Sequence, residues 1–185
     1  MTFHPPGPSD DAYLYFHDNG KIGDIEADGP IERLMDDGHV VITVDLRGQG
    51  ETASGKRDRL LTDWKSYYLA YLLGKPLLGM RVEDALAAAD FVAYYEKERD
   101  DPREVHLVGV GQAGIVALHA AALQPHLFTS VTLRDVPQDW ASIVSQDVPA
   151  GNLDNAVHGA LAVYDLPDLV RLVGKDKIRF EQTER

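Results

Sequence analysis

Short apolar runs alternate with amphipathic stretches along this chain, and Gly, Asp and Asn mark the changeovers. Ala12 to Phe16 (AYLYF) is apolar and aromatic-rich and closes on His17-Asp18-Asn19-Gly20, which predicts a buried strand followed by a polar turn. Gly29 to Asp37 (GPIERLMDD) has proline near its start, apolar positions at Ile31, Leu34 and Met35, and Gly38 just after, the pattern of a helix with a glycine stop. Val40 to Val44 (VVITV) is β-branched throughout and predicts a strand buried on both faces. Asp45 to Thr52 (DLRGQGET) is a Gly-rich loop, and the polar stretch from there to Gly79, with its two tyrosine-leucine patches, settles no element. Val82 to Glu98 carries Val82, Leu86, Ala89, Val92 and Ala93 at helical spacing and ends in charge. Glu104 to Val108 predicts a third strand, Gln112 to Gln124 an alanine-rich helix, and Ser130 to Leu133 a fourth strand. Trp140 to Ser145 and Leu166 to Val173 predict short helices, and Lys177 to Glu181 a fifth strand.

Strand and helix in regular alternation require parallel pairing with helical crossovers, because a parallel pair cannot be joined by a tight turn. The expected architecture is therefore three-layer α/β/α around a mostly parallel sheet of about five strands. Residues 11–185 read as one domain, long enough to bury roughly 70% of the surface of the unfolded chain. Residues 1–10 (MTFHPPGPSD) are rich in proline and read as a flexible, linker-like N-terminal segment.

Charge narrows the partners. The net charge is -12, with no cluster of Lys and Arg, so nucleic acid and anionic membrane surfaces are unfavourable partners. The chain has no cysteine, which removes disulfides, thiolate metal sites and cysteine nucleophiles. No His and carboxylate spacing of a metal site is present, and no cofactor is expected. The first residues lack the basic and apolar parts of a signal peptide, and no apolar run approaches the roughly 18 residues of a membrane span, so a cytoplasmic location is the default expectation.

Ligands of open parallel sheets sit beyond the carboxyl ends of the strands, which directs attention to the loops starting at His17, Asp45, Gly109 and Asp135. Gly109-Val110-Gly111-Gln112-Ala113-Gly114 is a tight strand-to-helix turn with two readings. One is a nucleophile elbow, the tight strand-to-helix turn whose usual form is Gly-x-Ser-x-Gly, with Gly111 where serine would stand. The other is a literal Gly-x-Gly-x-x-Gly dinucleotide fingerprint through Gly109, Gly111 and Gly114, with Asp135 about twenty residues on as the ribose-binding acid. Against the second reading, two strand-helix units precede the motif, which normally opens the first.

Five segments in order, YFHDNG, VVITVDLRGQGET, LLGMRVEDALAAADF, VHLVGVGQAG and HGALAVYDLPDL, resemble the α/β-hydrolase superfamily, specifically its acetyl xylan esterase-like members, from about Ala12 to Phe180. The resemblance implies a carboxylester hydrolase lineage. It places the catalytic serine at Gly111, and it places the oxyanion-hole donors at the backbone N–H of Gln112 and an N–H just after His17, in a loop that Asp18 makes inhospitable to an oxyanion. The family's acid should follow the strand 177–181 and its histidine one further strand, so with the chain stopping at Arg185 all three triad positions, the usual N-terminal hairpin and the last strand are expected to be missing. A catalytically impaired domain follows, since triad members act as a unit. An active ester hydrolase with a non-standard or shared site, completed by a homodimer or a larger parent chain, is the alternative.

The remaining candidates have structural explanations beside the functional ones. His17 and Asp18 are residue types that satisfy turn backbone groups. Asp45 and Arg47 are placed to pair with each other and pin their loop against the elbow, Gly48 and Gly50 serving the turn. His158, near Asp154 and ahead of Tyr164-Asp165, is a weak acid-base candidate, while His119 inside the alanine-rich helix reads as a packed residue. Ser142 and Ser145 read as helix surface or caps. A small acylated or carbohydrate molecule is the ligand the lineage suggests.

Overall fold

The computed structural model describes residues 1–5, 7, 9–53, 64–95, 97, 101–147 and 151–183. In chain order its main elements are β1 (Thr2–Phe3), β2 (Asp11–Phe16), α1 (Pro30–Asp36), β3 (Val40–Thr43), α2 (Trp64–Leu72), α3 (Leu77–Tyr94), β4 (Glu104–Val110), α4 (Ala113–Leu123), β5 (Ser130–Arg134), α5 (Trp140–Val144), α6 (Leu166–Val173) and β6 (Ile178–Glu181). The strands form one sheet in the order β1-β3-β2-β4-β5-β6. Every pairing from β3 to β6 is parallel, and only β1 runs antiparallel, on the outer edge of β3.

Period-two alternation along β2 sends Ala12, Leu14 and Phe16 to one face of the sheet, where Val40, Ile42, Leu107, Val131 and Leu133 join them beneath α3, α4 and α6. Tyr15, Val41, Val108 and Val110 point to the other face, and α1 covers them with Ile31. Helices thus lie on both sides of a mostly parallel sheet, as the alternation of elements requires. α4 is buried on nearly every side, from Ala113 to Ala121. That explains its alanines, since only small side chains let a helix sit this close to a sheet and to two other helices.

Two differences from the sequence reading have local causes. A sixth strand, β1, takes up part of the segment expected to be a linker: Thr2 and Phe3 pair with Ile42 and Val41, and the N-terminal ammonium donates to the Thr43 carbonyl at 2.7 Å. Two residues are too few to show a period. α3 begins at Leu77 behind Pro76, five residues before the expected start, because Leu77, Leu78 and Arg81 are buried with it while Gly79 interrupts the propensity. Glu96 and Glu98, assigned above to the last turn of that helix, lie outside the described residues. Among the described residues no helix is long and apolar enough to cross a membrane.

Candidate functional site

Four loops meet at the carboxyl ends of β2, β3, β4 and β5, and the turn from β4 to α4 is at their centre. Gly111 holds φ +59°, the left-handed conformation that glycine adopts without a Cβ clash. Its N–H donates to the Arg134 carbonyl at 2.8 Å, which ties the turn to the end of β5. Gly109 and Gly114 make the turn tight. A Cβ on Gly109 would stand 2.6 Å from the Cα of Gly114 and 2.8 Å from the Cβ of Ala117, and one on Gly114 would collide with Val136. The strand and the following helix can approach this closely only because both positions are glycine.

The carboxylate of Asp18 covers this turn. Asp18 Oδ1 accepts from the backbone N–H of Ala113 at 2.9 Å, the first residue of α4. A Cβ at Gly111 would fall well inside van der Waals contact of the same carboxylate. Helix N-termini carry unpaired N–H groups and partial positive charge, so an anion there is stabilised by about 0.3–1 kcal/mol and more when partly buried. Asp18 therefore does not serve its own turn, as its residue type suggested, but supplies an anion to a helix ninety-five positions away. His17 does serve the turn, accepting from the Asn19 N–H at 2.9 Å. Burial holds its imidazole below the ordinary histidine pKa.

Beneath the elbow lies a polar network that the sequence reading did not name. Arg134, at the end of β5, donates to the Tyr15 hydroxyl at 2.6 Å and pairs with the carboxylate of Asp24, which also accepts from Tyr15. Burial pushes the Tyr15 phenol up to about 12, against the opposing pull of Arg134, so the hydroxyl stays protonated and donates. A cation next to an apolar run (SVTLR) was the one hint available, and it did not name Asp24 as the partner.

Asp45 and Arg47 do not pair with each other. Asp45 accepts from the N–H groups of Lys21 at 2.6 Å and Glu51 at 3.1 Å, joining the loops after β2 and β3. Arg47 instead forms a bidentate pair with Asp84 of α3, at 2.7 and 2.5 Å. A bidentate fork was anticipated, but the nearer carboxylate in sequence is turned toward backbone donors and the one on the helix lies in reach. Gly48 and Gly50 have φ of +75° and +49°, as the turn demands. Behind the loop, Arg81 of α3 donates to the Arg47 carbonyl at 2.9 Å and to Asp154 at 3.0 Å, with both charged side chains nearly fully buried. That pair holds the 3₁₀ turn Leu153–Asn155 against the elbow, where Asn155 Nδ2 donates to the carbonyl and the side-chain oxygen of Gln112 at 3.1 and 3.0 Å.

A family model described as the alpha/beta hydrolase family matches residues 11–178. The chain belongs to the α/β-hydrolase family. No curated protein matches it in sequence. In fold it is similar to a Bacteroides fragilis protein described as a candidate acetyl xylan esterase, at TM-score 0.67 and 12% identity over 97% of this chain and 54% of that one. It is also similar to acetyl xylan esterase 1 from Thermoanaerobacterium sp. JW/SL YS485, at TM-score 0.59 and 14% identity over 98% of this chain and 69% of that one. Est1E from Butyrivibrio proteoclasticus, solved with ferulic acid bound, gives TM-score 0.53 and 13% identity over 99% of this chain and 84% of that one. The chain spans between 38% and 54% of the length of several of the solved structures it matches.

The contacts of this turn oppose the dinucleotide reading. The helix N-terminus that would receive a pyrophosphate already carries the Asp18 carboxylate, and a second anion there would be repelled. Asp135, the expected ribose ligand, accepts from the N–H of Thr183 at 3.0 Å and from its hydroxyl. Gly109 and Gly114 are explained by packing alone.

Among the other candidates, His158 is exposed and stacks edge-on to Tyr71 at 6.3 Å, while the acid proposed for it, Asp154, is committed to Arg81. Ser142 and Ser145 return their hydroxyls to carbonyls of their own helix, and Asp139 is the cap. Among the described residues no three His, Asp or Glu side chains are grouped to hold a metal ion. His119 is packed, with Nδ1 at 2.7 Å from the Ile115 carbonyl and Nε2 at 3.0 Å from the Tyr164 hydroxyl. Burial holds its pKa below the ordinary value. The unfolded chain therefore binds the proton more readily, so the stability His119 confers is complete above about pH 6.5 and is lost as pH falls. His119→Gln is expected to flatten the loss of stability below about pH 6.5 in a urea-denaturation series.

Proposed function

We propose that this chain is an α/β-hydrolase domain of carboxylester-hydrolase, acetyl xylan esterase-like lineage that does not hydrolyse esters, because Gly111 stands where the family's nucleophilic serine belongs. The observation that carries this reading is the Asp18 carboxylate resting over Gly111 and bonded to the Ala113 N–H. Ester hydrolysis at an elbow needs a nucleophile and donors aimed at the negative charge that develops on the carbonyl oxygen. Here the nucleophile has no side chain, and a fixed negative charge lies where another would form. Two like charges about 4 Å apart repel by about 1 kcal/mol in water and about 4 kcal/mol near a protein surface, opposite in sign to the several kcal/mol an oxyanion hole supplies. Glycine at a left-handed position also avoids the roughly 1–3 kcal/mol of backbone strain that a serine there would carry. The domain keeps the scaffold and gives up the chemistry, which leaves ligand binding as its role.

The test is hydrolysis of p-nitrophenyl acetate by the purified chain, with a fluorophosphonate probe beside it. Release of p-nitrophenol at the buffer rate and no covalent label are expected. Turnover above buffer together with a labelled residue would overturn the proposal in favour of a non-standard or shared catalytic site.

A further inference from the structure

β6 is the last strand of the sheet order, and among the described residues it pairs with β5 alone. The Val131 N–H donates to the Lys177 carbonyl at 2.9 Å, and the Asp135 N–H to the Glu181 carbonyl at 3.0 Å. Backbone groups alternate sides along a strand, so positions 177, 179 and 181 face β5, while Ile178, Phe180 and Gln182 turn their N–H and C=O groups to the free edge. An open row of this kind is a template for another strand. At the far edge of the sheet lies β1, two residues long, the short edge strand that discourages pairing. The side chains of β6 are open as well: Phe180 is 52% exposed, and the side chains of Arg179 and Glu181 are 77% and 40% exposed. Arg179 and Glu181 come only within 4.0 Å of each other.

We propose that β6 is a self-association surface, where two copies of the chain join their sheets by antiparallel pairing of β6 with β6 about an axis at Phe180. The register follows from the edge. With Phe180 opposite Phe180 of the partner subunit, both present their free N–H and C=O groups, and Ile178 and Gln182 meet as the flanking hydrogen-bonded pairs. Arg179 of each copy then stands opposite Glu181 of the partner subunit, because the pairing is symmetric. These are the non-hydrogen-bonded positions, where Cα atoms approach to about 4.5 Å and side chains come closest. Opposite charges there stabilise the pair and like charges oppose it. Moving the axis one residue sets Arg179 against itself in one direction and Glu181 against itself in the other, so the charges select this register. Charge also identifies the occupant as a second copy. A net charge of -12 opposes association in general, whereas this strand presents a cation and an anion in an order complementary to its own reverse. The Lys177 ammonium takes no part, since it donates to the carbonyls of Pro125 and Phe128. Neither the strand nor its register involves Gly111 or Asp18.

Sedimentation equilibrium of the chain from about 1 to about 100 µM measures the association. A reversible dimer of twice 20.4 kDa is expected. Arg179→Glu and Glu181→Arg each set like charges opposite one another in both pairs, and each is expected to weaken the dimer by about tenfold or more. The double variant exchanges the charges, makes both pairs opposite again and is expected to regain the parent affinity. Phe180→Pro removes an N–H of the free edge, leaves the bonds to β5 in place and is expected to give monomer. A mass of 20.4 kDa throughout the series, which would leave the edge to a strand of some other protein, would overturn the proposal. So would a dimer undiminished by either single reversal, or a double variant as weak as the single ones. Because the double variant must gain affinity over each single one, its result stands even if Phe180→Pro folds poorly.

Discussion

Gly111→Ser is expected to lower stability without conferring esterase activity, although it puts a serine at the elbow position, in the pattern Gly-x-Ser-x-Ala. The new Cβ meets the Asp18 carboxylate, and a non-glycine residue at φ +59° adds backbone strain. Asp18 has to swing away, giving up its bond from the Ala113 N–H and its place at the start of α4. The sum is about 2–3 kcal/mol, a fall in Tm of roughly 4–12 °C for a domain of this size. Thermal unfolding followed by circular dichroism checks it. Because the penalty comes from one pair, Asp18→Gly in the Gly111→Ser background should recover stability, with a double-mutant coupling above about 1 kcal/mol. Additive losses would show that Asp18 does not oppose the serine. Neither variant should hydrolyse p-nitrophenyl acetate, since among the described residues no histidine is hydrogen-bonded to the turn, and a serine without a base to activate it gains little.

A larger loss is expected from Arg81→Met. Arg81 and Asp154 are 3.0 Å apart, with side chains 2% and 8% exposed, so removing the cation takes from a buried carboxylate the ion pair that Arg81 supplies. Breaking such a pair destabilises by about 3–5 kcal/mol, or roughly 6–20 °C in Tm. The same change orphans the Arg47 carbonyl and loosens the 3₁₀ turn that carries Asn155. Arg81→Met with Asp154→Leu should regain much of the loss, because an apolar pair of similar volume takes the buried carboxylate away together with its cation. Urea denaturation of the single and double variants measures both effects. A single variant within about 1 kcal/mol of the parent would mean the pair is hydrated and not structural.

The parallel sheet, its helical crossovers and the tight turn at Gly111 were determined by the sequence alone, because each depends on a period, a run of β-branched residues or a turn residue read over a few positions. Leu166 to Val173 is a helix at those very bounds, with an Asp165 cap and Pro167 in its first turn. α2 was not legible, since Trp64, Tyr68 and Leu72 stay exposed and so give no apolar stripe facing a core. The residues that define the site were decided by tertiary structure. Asp18 reaches Ala113 across 95 positions, Arg81 reaches Asp154 across 73, and Arg134 reaches Asp24 across 110. No spacing rule links such partners, because a charge in a loop pairs with whatever the strand order brings to the same edge of the sheet. That is why Asp45 and Arg47, two positions apart, ignore each other. Local physics decided that there would be an elbow here, and only the convergence of four loops decided that a carboxylate would occupy it.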